Sequence, residues 1–157
     1  MPCPVAGKNQ ILVGDDTTGT YWYSMHNDHA VVTSASLTIT KADLDKGTDT
    51  TSCTQDYSRS LDDDGTQDCD AGHILAHRLG GPGNQPINIF PQDLSINRGA
   101  YAQYEDSINT CVYAGDSAAL AWTFTYESTS HTKPYKVKYE ATYTGGNCES
   151  TSETFDN

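Results

Sequence analysis

Over the first fifty residues, short β-branched and aromatic runs alternate with Gly, Asn and Asp. Tyr21-Trp22-Tyr23, Ala30-Val31-Val32 and Leu37-Thr38-Ile39-Thr40 are the clearest, and they predict strands up to about Asp49. A polar, turn-rich stretch over about 46–69, centred on Asp62-Asp63-Asp64-Gly65, reads as an exposed loop. Two short extended runs follow, Gly72-His73-Ile74-Leu75-Ala76 and Ile87-Asn88-Ile89-Phe90, joined by Gly80-Gly81-Pro82-Gly83-Asn84 and closed by Pro91. Tyr101, Tyr104 and Ile108 then fall at i, i+3 and i+7, which predicts one helix from about Asn97 to Ile108. Toward the C-terminus, Trp122-Thr123-Phe124-Thr125-Tyr126 and Val137, Tyr139, Ala141 and Tyr143 alternate with period two. These runs predict a hairpin over about 121–146. The tail from Glu149 is polar and is expected to fray. The expected fold is α+β: an antiparallel, strand-rich body carrying a strand, Gly-rich turn, strand, helix unit over about 70–108.

A chain of 157 residues suggests one domain spanning 1–157, and neither an internal repeat nor a linker interrupts it. No apolar run approaches the roughly 20 residues of a membrane span. Charge complicates the picture: 9 Lys+Arg stand against 21 Asp+Glu, a formal net charge of −12. Taken alone, that balance counts against a nucleic-acid partner, because such binding usually rests on a surplus of Lys and Arg. Cys3, Cys53, Cys69, Cys111 and Cys148 are scattered with no C-x-x-C pair, which speaks against a zinc knuckle and for an oxidising compartment. The odd count leaves fifteen two-bridge patterns open. The expectation is a secreted protein, with no signal peptide visible at Met1-Pro2-Cys3-Pro4-Val5 and no obligate protein partner evident.

The 70–108 unit concentrates the chemistry. His73 is the side chain able to accept a proton near neutral pH, although a single His beside Ile74 and Leu75 is more often a packed residue. Asn88, Gln92, Asn97 and Glu105 follow it in the same unit, and their oxygens are hard donors of the kind Mg²⁺ selects. Taken singly, Asn97 is equally an N-cap and Glu105 a solvated helix residue. On a regular helix the two stand about 12 Å apart along the axis, so one direct and one water-mediated partner of an ion is the sensible reading. Two histidines acting without metal, from His26, His29, His77 and His131, form a weaker alternative, since nothing fixes a pair across a phosphate.

Asp70-Ala71-Gly72-His73, Leu79-Gly80-Gly81, Asn88-Ile89-Phe90-Pro91-Gln92, Asn97-Arg98-Gly99 and Glu105 together resemble the DNA/RNA non-specific endonucleases of the ββα-metal (His-Me finger) superfamily. The resemblance covers under a quarter of the chain, with several motifs in order and spacing. It implies that His73 is the general base that deprotonates water and that Asn97 is the direct ligand of one divalent cation, Mg²⁺ first and Mn²⁺ as the alternative. Glu105 would hold the metal's waters, Asn88 would orient His73 or the scissile phosphate, and Gln92 would support the site. The family pattern often has Arg where this chain has Ala71. Arg98, and less directly Arg78, are the candidates to contact phosphate in its place.

The implied reaction is hydrolysis of DNA and RNA phosphodiesters to 5′-phosphate products, with the cation stabilising charge at phosphorus. The competing class is a nuclease-like effector or binding module whose activity is lost. With −12 overall, the positive charge for one phosphate must be local, and binding is expected to be weak and salt-sensitive.

Overall fold

The computed structural model describes residues 10–13, 17–61 and 69–157. Asp62-Asp63-Asp64-Gly65 and Cys3 lie outside the described residues. Strands β1 (Gln10–Val13), β2 (Thr17–His26), β3 (His29–Ile39), β6 (Ser117–Thr125), β7 (Lys136–Thr144) and β8 (Thr151–Asp156) form one antiparallel sheet in the order β1-β2-β3-β6-β7-β8. A separate two-stranded antiparallel sheet pairs β4 (Cys69–His73) with β5 (Ile89–Asp93). Helices α1 (Ser52–Ser60), α2 (Leu94–Arg98) and α3 (Ala100–Tyr113) complete the chain. The fold is mixed α+β, strand-rich and antiparallel. No helix of the described residues is long and apolar enough to cross a membrane.

Local sequence explains the hairpins. Asn27 and Asp28 join β2 to β3 with φ of 49° and 63°, the left-handed pair that a tight two-residue turn demands and that Asn and Asp tolerate. β6 and β7 pair from Ser117↔Thr144 to Thr125↔Lys136, so the alternation over 121–146 does form a hairpin. Its inward residues Trp122, Phe124, Val137 and Tyr139 are buried.

Helix α3 lays Tyr101, Tyr104, Ile108 and Val112 against that sheet. Tyr101 is the joint between the layers. Its ring stacks edge-on to Phe155 at 5.1 Å and tilts against Tyr139 at 5.5 Å. Trp122 Nε1 donates to the Tyr101 hydroxyl at 3.1 Å, and that hydroxyl donates to the Ile74 carbonyl at 2.9 Å. The large sheet is thereby tied to the segment that follows His73.

Four expectations need correcting. The single helix from Asn97 to Ile108 is two helices, because the backbone turns at Gly99 (φ −115°, ψ −105°). The 46–69 segment is not all loop. It contains α1, started by a Thr51–Thr54 capping box and seated through Thr54 Oγ1 on the Gly83 carbonyl (2.8 Å) and Tyr57 OH on the Ala30 carbonyl (2.6 Å). Its buried face uses Thr54 and Ser58, so no apolar stripe announced it. The polar tail does not fray: β8 pairs with β7 and buries Phe155. The side chain of Asn157 accepts from Asp93 N at 2.7 Å and donates to the Pro91 and Pro134 carbonyls at 3.0 and 2.8 Å. Finally, β5 runs through Pro91, opposite Ala71. A two-stranded sheet is all edge, so a residue without N–H fits there.

Cys111 at the end of α3 is bridged to Cys148 across 37 positions, with Cα atoms 5.9 Å apart. Cys53 on α1 is also disulfide-bonded, and Cys69 carries a thiol.

Candidate active site

Strand β4 delivers His73 to its last position, and the chain then turns into the Leu75–Leu79 segment. Gly80 closes the short turn at φ 102°. At Gly81 a β-carbon would run into the Leu75 carbonyl oxygen, so only glycine lets this loop close over Leu75. His73 is half-buried, and its Nε2 lies 3.0 Å from the carbonyl oxygen of Thr48. A carbonyl only accepts, so Nε2 carries the hydrogen and Nδ1 of the neutral ring keeps its lone pair. Burial pushes the His73 pKa below its ordinary value, with the Thr48 hydrogen bond opposing it, His77 adding to it and Asp49 opposing it.

Asn97, expected as an N-cap or a ligand, sits inside α2. The cap of that helix is Asp93, whose Oδ1 accepts from Ser95 N and Ile96 N. Asn97 Nδ2 donates to Asp70 Oδ2 at 2.7 Å. That bond fixes which way the amide points, and among the described residues it leaves Oδ1 as an uncommitted donor atom for a cation. Asp70 also receives Arg98 through both oxygens, Nε to Oδ2 at 3.1 Å and Nη2 to Oδ1 at 3.0 Å. Arg98 is therefore held side-on by Asp70.

Two adjoining cavities, of about 620 and 270 Å³, share Ala71, His73 and Asn97 in their walls. The smaller also takes Glu105, His77 and Arg78. The chain bends at Gly99 between them, and Asn97 and Glu105 border one cavity. Glu105 is buried, and no hydrogen bond holds its carboxylate among the described residues. Burial pushes its pKa up to about 8, with Arg78 pulling down and Asp106 pushing up. Arg78 pairs with Asp106 and donates to the Ala102 carbonyl at 3.1 Å.

The donor set suits a hard divalent cation. One amide oxygen and one buried carboxyl group, without a hydrogen bond among the described residues, belong to side chains that border the same space, and both are ligand types for Mg²⁺. Among the described residues no group of three or more His, Cys, Asp and Glu is arranged to hold a metal. An ion held here would have few protein ligands and would keep most of its water.

Two expected residues stand apart from this cluster. Asn88 is fully buried, and all four of its hydrogen-bonding positions are taken. Oδ1 accepts from Tyr21 OH at 2.7 Å and Leu75 N at 2.9 Å, and Nδ2 donates to the Leu75 and Pro82 carbonyls at 3.0 and 3.1 Å. Nothing is left over for His73 or a phosphate. Asn88 positions the backbone behind His73. Gln92 is buried beside Gly72, its Oε1 without a partner, and lines neither cavity. Sequence reasoning gave no role to Asp70 or Thr48. The Asp-x-Gly-His spacing signals Asp70, but a backbone carbonyl such as that of Thr48 leaves no trace in side-chain chemistry.

A family model of DNA/RNA non-specific endonucleases matches residues 13–145. The chain belongs to that family. It is 37% identical over 120 residues to the probable deoxyribonuclease RhsA of Dickeya dadantii (strain 3937), a match covering 76% of this chain and 8% of that protein. The chain thus spans less than a tenth of the length of this curated relative. Its fold is shared with NucA from Streptococcus agalactiae, solved with magnesium bound (TM-score 0.62, 14% identity, 95% of this chain and 78% of that one). It is also shared with the Sda1 nuclease solved with bound zinc (TM-score 0.65, 17% identity, 89% and 75%). As a DNA/RNA non-specific endonuclease family member, the chain carries its ββα unit as β4, β5 and the α2–α3 pair.

Proposed function

We propose that this chain is a metal-dependent endonuclease that hydrolyses phosphodiester bonds in both DNA and RNA, leaving 5′-phosphates. One observation carries the reading: His73, with Nε2 held by the Thr48 carbonyl and Nδ1 left basic, shares a cavity wall with Asn97 and Glu105. Asn97 Oδ1 would hold the cation directly, and Glu105 would hold it through water. A divalent cation bound there supplies Lewis-acid stabilisation of charge at phosphorus and at the leaving oxygen. Relatives of this fold were solved with magnesium and with zinc; for this chain the oxygen-rich donor set favours Mg²⁺, then Mn²⁺.

The rest is done by the chain's own residues. His73 Nδ1 takes a proton from a water as the water oxygen bonds to phosphorus. The bond to the 3′ oxygen breaks, and that oxygen takes up a proton from solvent. The Thr48 carbonyl keeps the ring oriented and stabilises the imidazolium that forms. Asp70 sets Asn97 and Arg98 in place. Since the nucleophile is water and the ribose 2′-hydroxyl has no part, either sugar is accepted. The Cys111–Cys148 bridge and the bonded Cys53 support an oxidising, extracellular setting.

Incubation with plasmid DNA and with a structured RNA tests this reading. Degradation of both polymers in Mg²⁺ or Mn²⁺, and none in EDTA, is expected. Intact polymers under every divalent cation would leave a nuclease-like binding module in its place.

A further inference from the structure

We propose that Arg59, on α1, grips a phosphate of the bound polymer beside the scissile position. The inference rests on the nuclease reading above and adds a substrate contact on a helix that the sequence motifs do not reach.

The chain has three arginines, Arg59, Arg78 and Arg98: Arg59 lines the larger cavity, Arg78 the smaller, and Arg98 is bonded to Asp70 in the wall of the larger one. Two of them are engaged. Arg98 is clasped by both oxygens of Asp70, and Arg78 is held by Asp106 and the Ala102 carbonyl. Arg59 lines the 620 Å³ cavity together with Ala71, His73 and Asn97. Its partner is Asp56, one helical turn back, with side-chain exposures of 69% and 73%. Exposed i,i+3 pairs are among the weakest ion pairs, readily exchanged for a better anion.

The helix beneath Arg59 is firmly seated. Thr54 is bonded to Gly83, Tyr57 to Ala30, and the Leu61 carbonyl accepts from Thr132 Oγ1 at 2.6 Å. Arg59 therefore rises from a fixed base at the wall of a cavity to which β4 contributes Cys69, Asp70, Ala71 and His73 but no cation of Arg or Lys. Asp49 and Asp70 also line that cavity, so an incoming phosphate needs a cation on the α1 side. A planar guanidinium fits a phosphodiester with two parallel hydrogen bonds.

Binding of a fluorescent DNA duplex to His73→Ala protein in Mg²⁺, measured across a salt series, tests the proposal. Removing the side chain in His73→Ala/Arg59→Ala should lower the slope of log Kd against log salt by about one and weaken low-salt binding roughly tenfold. Arg59→Lys should keep the slope, and Asp56→Ala, which frees the guanidinium, should tighten binding. In the otherwise wild-type chain Arg59→Ala should raise KM and leave kcat unchanged. A double variant with its parent's slope and affinity, or a parent that binds no duplex, overturns the proposal. The two readings fail separately: wild-type protein that degrades no polymer sinks the nuclease assignment, while active protein indifferent to Arg59→Ala sinks this contact alone.

Discussion

The imidazole of His73 is fixed by the carbonyl oxygen of Thr48, 25 residues upstream and 3.0 Å from Nε2. The contact selects one tautomer and leaves the lone pair on Nδ1 of a ring that lines the groove shared with Asn97. His73→Ala is expected to lose about 10²–10⁴-fold in cleavage rate while its circular dichroism and melting curve stay near wild type, because the ring is only half-buried. Wild-type rates in that variant would remove His73 as the base.

Under the proposed mechanism the same ring should set the acid limb of the pH profile. A base works when neutral, and burial lowers the His73 pKa below its ordinary 6.5. kcat/KM should therefore hold as pH falls through 6.5 and decline only below it. A limb centred above neutrality, measured at saturating Mg²⁺, would contradict the burial argument. The stability sign agrees: the depressed folded pKa means that stability present above 6.5 is eroded as pH falls toward the folded value.

Asn88 is a test of scaffold against catalyst. Asn88→Ala strips partners from the Tyr21 hydroxyl and from both backbone groups of Leu75, all inside the core. Buried groups left unpaired cost about 1–3 kcal/mol each, so a loss on the order of 3 kcal/mol in urea unfolding is expected. A variant with wild-type stability and abolished cleavage would return Asn88 to the chemistry.

Much of the candidate site was legible because its residues are local in sequence. His73, Asn97 and Glu105 lie within one short unit, and their side-chain types carry the meaning. The β6–β7 hairpin was legible because one face is buried and the other wet, which imposes a period of two. What escaped notice depends on contacts between distant segments. Helix α1 is buried through Thr54 and Ser58, and the Thr54 hydroxyl finds a backbone partner in Gly83, so it shows no apolar stripe. Strand β8 is held by its pairing with β7 and by one buried ring, Phe155. The bend at Gly99 came from a backbone angle that the sequence Asn97-Arg98-Gly99 allows without demanding. The partners of Asn88 were hidden for a related reason: its motif position marks it as important, and its four hydrogen bonds reach Tyr21, Leu75 and Pro82, which no local pattern names.

The Cys111–Cys148 bridge ties the end of α3, the helix that carries Glu105, to the β7–β8 connection. Closing a loop of 37 positions is worth roughly 3–4 kcal/mol through the unfolded chain. Cys111→Ser/Cys148→Ser should lose stability of that order in chemical denaturation, and dithiothreitol should lower the melting temperature of the wild type. An unchanged midpoint in both experiments would show that packing of α3 on Trp122 and Tyr139 suffices without the bridge.

Asp70 lines the larger cavity, and it also holds Asn97 by its amide. By accepting from Asn97 Nδ2 and from both Nε and Nη2 of Arg98, it fixes the amide of a residue that borders the same cavity as Glu105. Residues that orient a metal ligand typically account for 10–100-fold in metal affinity or activity. Asp70→Ala should therefore shift the Mg²⁺ concentration for half-maximal cleavage upward by about that factor, with much of the rate recovered at high Mg²⁺. Asn97→Ala, which removes the oxygen itself, should not be recovered by any Mg²⁺ concentration. The contrast is the test: equal Mg²⁺ curves for Asp70→Ala and wild type would mean that the amide needs no help to face the ion, and a rescued Asn97→Ala would place the cation on other atoms.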